Sequence, residues 1–400
     1  MGDHYENEVA FLVGLDGTYH GIVKYKQKEV SAVLELSGKS SLIKVNDSIE
    51  LRPADHHFSF ESDQLGAEVT ARISINEHSA QTNETFRIVS SGPIDSLVSN
   101  RWRRAKSIFR SYLKASNKKI LYELCGRPGL LKLEITKVPI SIRQIDKYLV
   151  VENDLEIEFD LFSEICYSTL VALGFLSGHF VQDESYTFQQ LKKGDKNISG
   201  YRYERLRRSS VSIYHPVTAN PFGYEGFIGK DVAEELYSDK TLKNLNAKQI
   251  SKLAELIHLN PQIQYAIVLF NEANDNDLSL LVKNNSFFVV LEVLRKYFHT
   301  TFKHKLPTDY SQKVNVEKFK LVFECITPTT EEELLMLAKR NLFMHGDVKN
   351  LEGTEMVSIM QKQITFIYKY ILAHIGFKGH VIDHFSIRNN PSIRSFIKIP

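Results

Sequence analysis

The chain has 400 residues, of which 43% are hydrophobic and 24% charged, and its formal net charge is +2. That composition belongs to an ordinary globular protein long enough for two or three cored domains, and a near-neutral total leaves any affinity for nucleic acid to local patches. Three cysteines, Cys125, Cys166 and Cys325, are far apart, and no signal peptide is read, which predicts reduced thiols in a cytoplasmic protein. The longest apolar runs, such as Leu170 to Phe175, fall short of a membrane span, so no membrane partner is expected.

From Glu8 to about Ser91 short alternating runs are broken by turn residues: Val9 to Leu15, His20 to Tyr25, Val30 to Leu36, Leu42 to Val45, Ser48 to Leu51, Phe58 to Phe60, Ala67 to Ile75 and Thr85 to Val89. Asp16-Gly17 is a hairpin signal, and strands this close together predict an antiparallel sandwich or barrel-like sheet. A helix is predicted after Pro93, because Val98, Trp102, Ala105, Phe109, Tyr112 and Leu113 share one stripe. Its other face carries Arg101, Arg103, Arg104, Lys106, Arg110 and Lys114, which suits either bound phosphates or plain solvation. Strands follow at Leu130 to Ile135, Tyr148 to Val151 and Leu155 to Phe159, and then a buried helix from Phe162 to Phe180.

Gln189 to Tyr214 forms a second basic stretch, in which Lys192, Lys193, Lys196, Arg202, Arg205, Arg207 and Arg208 interleave with Tyr201, Tyr203 and Tyr214. Charges that hold a backbone beside rings that stack on bases suit a single-stranded RNA groove, with Arg202, Arg205, Arg207 and Arg208 as RNA-binding candidates. A loop followed by a surface hairpin has the same composition. Pro216 to Gly229 is an irregular loop near a domain boundary.

Beyond about Leu242 the period becomes helical, with helices expected at Ala247 to Leu256, Ile263 to Glu272, Ser286 to Phe302, Glu317 to Cys325, Thr330 to His345 and Thr354 to His374. Pro261, Pro307 and Pro328 fall between them, as a bundle requires. The expected fold class is therefore α+β, with a β-rich region over 1–240, of one or two subdomains, and an all-α helical bundle over 241–400.

One helix of this bundle carries both of its end signals. Thr329 or Thr330 with Glu332 or Glu333 makes a capping box, three acids suit the positive dipole end, and Gly346 supplies a left-handed stop. Leu334, Leu335, Ala338 and Leu342 predict its packed face. Asn341 and His345 are spaced i, i+4, and the long Arg340 side chain can swing toward them.

Arg340-Asn341-x-x-x-His345 resembles the signature of the HEPN superfamily, and within it the Apea-like HEPN proteins. The same loose pattern occurs at Arg52 and His57, Arg72 and His78, and Arg208 and His215, but there it is not at the end of a capped helix in an all-helical region. The resemblance implies a HEPN bundle, expected here over roughly 245–385. It also implies a metal-independent endoribonuclease that needs no cofactor, and a homodimer in which two copies of the motif face one cleft. It further implies a role in bacterial anti-phage defence by abortive infection, in which cellular RNA is the substrate and a phage-derived trigger is bound by the N-terminal region.

The chemistry suits those residue types. RNA brings its own nucleophile, the 2′-hydroxyl, so the protein need only move protons and stabilise a phosphorane. An imidazole with an ordinary pKa near ~6.5 serves as acid or base, and a guanidinium fork matches phosphate oxygens. His345 at a helix C-terminus suits donation to the 5′-oxygen, and Asn341 can orient it or hold phosphate. Glu292, a lone acid on an apolar helix face, is a further catalytic candidate by resemblance, against the alternative of an internal salt bridge or simple exposure. Lys339 and Lys349 flank the motif as RNA contacts. In relatives paired with a nucleotidyltransferase a modified Tyr stands where this chain has Asp347, so that regulation is not expected here.

Histidines 56, 57, 299, 304, 374, 380 and 384 make no ligand set, so no metal is expected, and neither a Walker loop nor a Gly-x-Ser-x-Gly elbow is present. The alternatives to a nuclease are a non-catalytic HEPN module for dimerisation and RNA or protein binding, and a β-sandwich ligand-binding protein with an accessory bundle.

Overall fold

The computed structural model describes residues 14–25, 28–37, 40–45, 57–72, 87–93, 95–114, 121, 129–145, 148–180, 184–190, 198–205, 210–211, 245–274, 278–389 and 396–400. The chain packs as two compact units: Met1–Lys114, Leu149–Phe162 and Gln182–Arg208 in the first, and Ala115–Tyr148, Ser163–Val181 and Ser209–Pro400 in the second. A large antiparallel sheet fills the N-terminal half and helices the C-terminal half, an α+β layout. Elements are numbered in chain order. The expected strand over Ser48 to Leu51 and the expected loop from Pro216 to Gly229 lie outside the described residues, as does the expected strand from Val9 to Leu15 except for its last two residues, Gly14 and Leu15, which are not in a strand.

The first unit holds β1 (Gly17–Tyr25), β2 (Lys28–Ser37), β3 (Ser40–Val45), β4 (His57–Ser62), β5 (Ala67–Arg72), β6 (Arg87–Pro93), β7 (Ser96–Ser99) and β8 (Ile108–Lys114). Here β11 (Tyr148–Asn153), β13 (Glu184–Gln190) and β14 (Gly200–Arg205) extend the same sheet, in the order β6-β3-β2-β1-β4-β5-β7-β14-β13-β8-β11. In the first unit the described strands are hydrogen-bonded into one continuous sheet. Period-two patterning sets the register. Ala32, Leu34 and Leu36 of β2 are buried, and Ala32 and Leu34 pair with the buried Val45 and Ile43 of β3. On the other face Lys44 reaches Glu35 at 3.0 Å.

The helix expected over Val98 to Leu113 does not form. Its residues are divided between β7 and β8, with a loop from Asn100 to Ser107 between them. As an interior strand covered on both faces, β8 buries Ile108, Phe109, Ser111, Tyr112 and Leu113 almost without alternation, so its own period is hidden. Asn153 fixes it by accepting from the Phe109 N–H at 2.6 Å, and Ser111 and Thr187 share a buried hydroxyl contact at 2.9 Å. Leu155 to Phe159 is likewise not a strand; it makes only the isolated Ser107 to Ile157 bridge. The basic stretch from Gln189 begins at the end of β13, which pairs with β14 from Glu184 and Arg205 to Gln189 and Gly200.

In the second unit β9 (Leu131–Ile135) and β10 (Val138–Ile145) form a hairpin turned by Thr136 and Lys137, both at positive φ. The turn is held down on α2 (Ala247–Leu259), whose Glu255 accepts from the Thr136 N–H at 3.1 Å. Most of α1 (Phe159–Ser177) also belongs here, with the small pairs β12 (His179–Phe180) and β15 (Ser210–Val211) and, near the C-terminus, β16 (His380–Ile382) and β17 (Phe396–Lys398). By length and composition α1 could cross a membrane, which the shorter apolar runs did not suggest. Yet 67% of that window is buried inside the protein.

The helical part is completed by α3 (Pro261–Ala273), α4 (Leu280–Phe302), α5 (Asn315–Glu324), α6 (Glu331–Ala338), α7 (Arg340–Met344), α8 (Gly353–His374) and α9 (His384–Asn389). Pro261 occupies the first turn of α3, where a missing N–H costs nothing. Aromatic contacts bind the core: Phe270 of α3 touches Phe175, Phe287 and Tyr368, and Phe323 of α5 meets Phe298, Phe366 and Tyr370.

His374 ends α8 among Tyr297, Phe298 and Phe302. Burial there, with the charge of Lys252 adding to it, pushes the imidazole below its ordinary value of 6.5. The folded protein therefore binds fewer protons at this site than the unfolded chain, and stability falls as pH drops below 6.5 toward the depressed folded value. Thermal melts at pH 7.5 and 5.5 are expected to show a smaller acid-induced loss for His374→Gln than for the parent. Equal losses in both would contradict the assignment.

Candidate active site

The start of α6 is set by its own side chains. Thr330 Oγ1 accepts from the Glu333 N–H at 3.2 Å, and Glu333 Oε2 accepts from the Thr330 N–H at 2.8 Å, a complete capping box. The helix then breaks at Lys339, where the Lys339 N–H bonds to the Met336 carbonyl and the Leu342 N–H to the Lys339 carbonyl in i to i−3 turns. The single helix expected from Thr330 to His345 is therefore two. The second ends as a Schellman motif on Gly346 at φ +76°: Asp347 N–H reaches the Leu342 carbonyl and Gly346 N–H the Phe343 carbonyl.

The break changes which side chains pack. Met336, Leu337 and Phe343 are buried, with Phe343 against Phe288 of α4 at 5.5 Å between centroids. Of the face expected from the sequence, Leu335 is 68% exposed, Ala338 is exposed, and Leu334 and Leu342 are half-buried. Docking of α7 on α4 carries Arg340 to Glu292, with Nε and Oε1 2.5 Å apart. That N–H is not aimed at the oxygen, so the contact is an ion pair without an aligned hydrogen bond. The two side chains are only 18% and 14% exposed.

Glu292 also accepts from Arg295 Nη2 at 2.8 Å and Nε at 3.1 Å, and Arg295 Nη1 donates to the Tyr310 hydroxyl at 3.0 Å. Burial opposes the Arg295 charge, but the hydrogen bond and charge of Glu292 outweigh it and hold the guanidinium above its ordinary value. One carboxylate thus stands between two guanidiniums, and the cluster keeps an unbalanced positive charge. Arg340 Nη1 donates to the Asn341 side-chain oxygen at 2.9 Å. His345, the C-cap of α7, is exposed, and its imidazole has no partner among the described residues.

The structure therefore joins Arg340, Asn341 and Glu292 through side-chain contacts and leaves His345 exposed at the other end of the same short helix. Other candidates lie elsewhere. Lys339 is engaged by Glu355 at 3.0 Å, and Lys349 is exposed. Arg202, in the first unit, pairs with Glu204 at 2.5 Å and lies over the Phe159 ring. Arg205 closes β14, while its side chain and Arg207 and Arg208 lie outside the described residues. Sequence reasoning missed Arg295 and Tyr310; the i, i+3 spacing of Glu292 and Arg295 was the available signal for the first. Among the described residues no group of three His, Cys, Asp or Glu side chains is placed to share a metal ion. Comparison with protein-family models, with curated proteins and with solved structures returns no match for this chain.

Proposed function

We propose that the chain is a metal-independent endoribonuclease of the HEPN kind, acting as a homodimer on cellular RNA in bacterial anti-phage defence. The supporting observation is the contact of Arg340, on the helix that ends at His345, with its neighbour Asn341 and with Glu292 of α4, together with an imidazole that is exposed and has no partner among the described residues. In this reading the 2′-oxygen of RNA attacks phosphorus, the bond to the 5′-oxygen breaks, and a cyclic phosphate and a 5′-hydroxyl result. Arg340 faces the phosphorane charge, held in place by Glu292. His345 gives its proton to the departing 5′-oxygen, and the second copy's imidazole takes the proton from the 2′-hydroxyl.

Because His345 is exposed and its imidazole has no partner among the described residues, His345→Ala is expected to melt like the parent and to cleave RNA about 10²–10⁴-fold more slowly. A variant that degrades RNA at the parent rate removes the enzyme reading. What favours the alternative, a non-catalytic dimerisation and binding module, is the exposure of Leu335 and Met344 beside the motif, 68% and 41%. That module predicts unchanged RNA turnover in both proteins and dimers weakened by Leu335→Ser.

A further inference from the structure

We propose that the loop joining β7 to β8 is a second nucleic-acid site, in which Arg101, Arg103 and Arg104 hold the phosphate backbone of a single strand. This inference stands apart from the nuclease reading, since it concerns the first unit and requires binding without cleavage. All three arginines are exposed, within four consecutive positions, and none forms an ion pair with a carboxylate among the described residues. Like charges set so close repel, and a bound phosphate backbone relieves that repulsion.

This loop is built, not loose. The side chain of Gln189, itself fully buried, accepts from the Arg103 N–H at 2.9 Å and donates to the Arg103 carbonyl at 2.8 Å and to Ser107 Oγ at 2.9 Å. Trp102 turns inward onto Phe109 and Phe159, and its backbone lies so close to Gly200 that a Cβ there would come within 2.7 Å of the Trp102 Cα. A fixed backbone means that the loop itself need not be ordered on binding, which leaves only the three side chains to lose freedom.

The chemistry of the loop selects the partner. Its one large apolar side chain, Trp102, is spent on the core, so it offers nothing to insert into a bilayer. The N–H groups of Arg101, Trp102 and Arg103 are already taken by Ser99 and Gln189, so no strand edge is free to add a peptide. What remains is forked, permanent positive charge, the means by which proteins hold a phosphodiester chain without reading its sequence. Lys106 is left out of the site. It adjoins the Ser107 to Ile157 bridge, across which the exposed Glu156 and Glu158 lie.

The test uses the full chain and a fluorescein-labelled 2′-O-methyl oligouridylate, which lacks the hydroxyl needed for cleavage, so binding is read whether or not the protein is a nuclease. Anisotropy titrations between about 50 and 200 mM salt are expected to give the triple variant Arg101→Gln, Arg103→Gln, Arg104→Gln an affinity about tenfold or more lower. Its log–log salt slope should be shallower by about 2, from three lost contacts at ~0.7 each. The triple Lys variant should keep most of the slope while binding more weakly than the parent. The proposal is overturned if the Gln variant matches the parent, if the Lys variant loses the slope as the Gln variant does, or if polyglutamate displaces the probe as well as unlabelled oligomer.

Discussion

Replacing Lys369 by alanine is expected to destabilise the helical unit by about 3–5 kcal/mol, lowering its melting temperature by roughly 10 °C. This ammonium lies inside the bundle, 4% exposed, and donates to Glu333 Oε1 and Oε2 at 2.8 and 3.0 Å and to the Pro328 carbonyl at 2.9 Å, which uses all three of its protons. Removing it leaves the Glu333 carboxylate, 12% exposed, with only the Thr330 N–H and the Tyr370 hydroxyl as donors among the described residues. Burial and the charge of Glu333 already hold that phenol far above its ordinary range, so Tyr370 remains a neutral donor and cannot replace the lost cation. Lys369→Met combined with Glu333→Gln should recover most of the loss, because a neutral pair of similar volume leaves no charge unmatched. Denaturant melts of the single and double variants measure this directly. Equal stabilities for Lys369→Ala and the parent would show that the pair contributes nothing.

Glu333 also shows where sequence reading succeeds and where it stops. Its part in the capping box is local, three residues from Thr330, and so is the stop at Gly346; both ends of the segment were legible. The same holds for α8, whose long apolar pattern is free of Pro, whereas α3, expected from Ile263 with Pro261 outside it, in fact begins at Pro261. The break at Lys339 has no Gly or Pro to announce it. It coincides with two distant contacts, Phe343 on Phe288 and Arg340 on Glu292, which no pattern within the segment encodes. In the first unit the difficulty was the period itself. The apolar residues of the 98–113 stretch fall at helical intervals by coincidence, and β8, buried on both faces, shows no alternation to contradict them. The β-branched and aromatic character of Val98, Ile108, Phe109 and Tyr112 was the better guide. At the candidate site the motif was legible as Arg340, Asn341 and His345, and Arg295 was signalled by its i, i+3 spacing from Glu292, but that Arg340 shares this carboxylate appears only in three dimensions.

That shared carboxylate separates stability from chemistry in a pair of variants. Arg340→Ala leaves Glu292 with both bonds from Arg295 intact, so its cost in stability should be about 1 kcal/mol, the scale of an ion pair whose loss strands no buried charge. If Arg340 stabilises a phosphorane, the same change should slow RNA cleavage by about 10²–10³-fold, the usual effect of deleting one preorganised donor. Glu292→Ala does the reverse to the fold: two guanidiniums, 16% and 18% exposed, face each other with no anion between them, at a cost of about 3 kcal/mol. Glu292 then acts on the reaction by positioning Arg340, so its rate loss should be recovered in part by Glu292→Gln, which keeps the acceptor oxygen. Arg340→Lys should not recover activity, because a point charge cannot present the planar fork. Melting curves and single-turnover cleavage on the four proteins decide the matter. A fully active Arg340→Ala would leave the Arg340–Glu292 pair as a structural tie between α7 and α4.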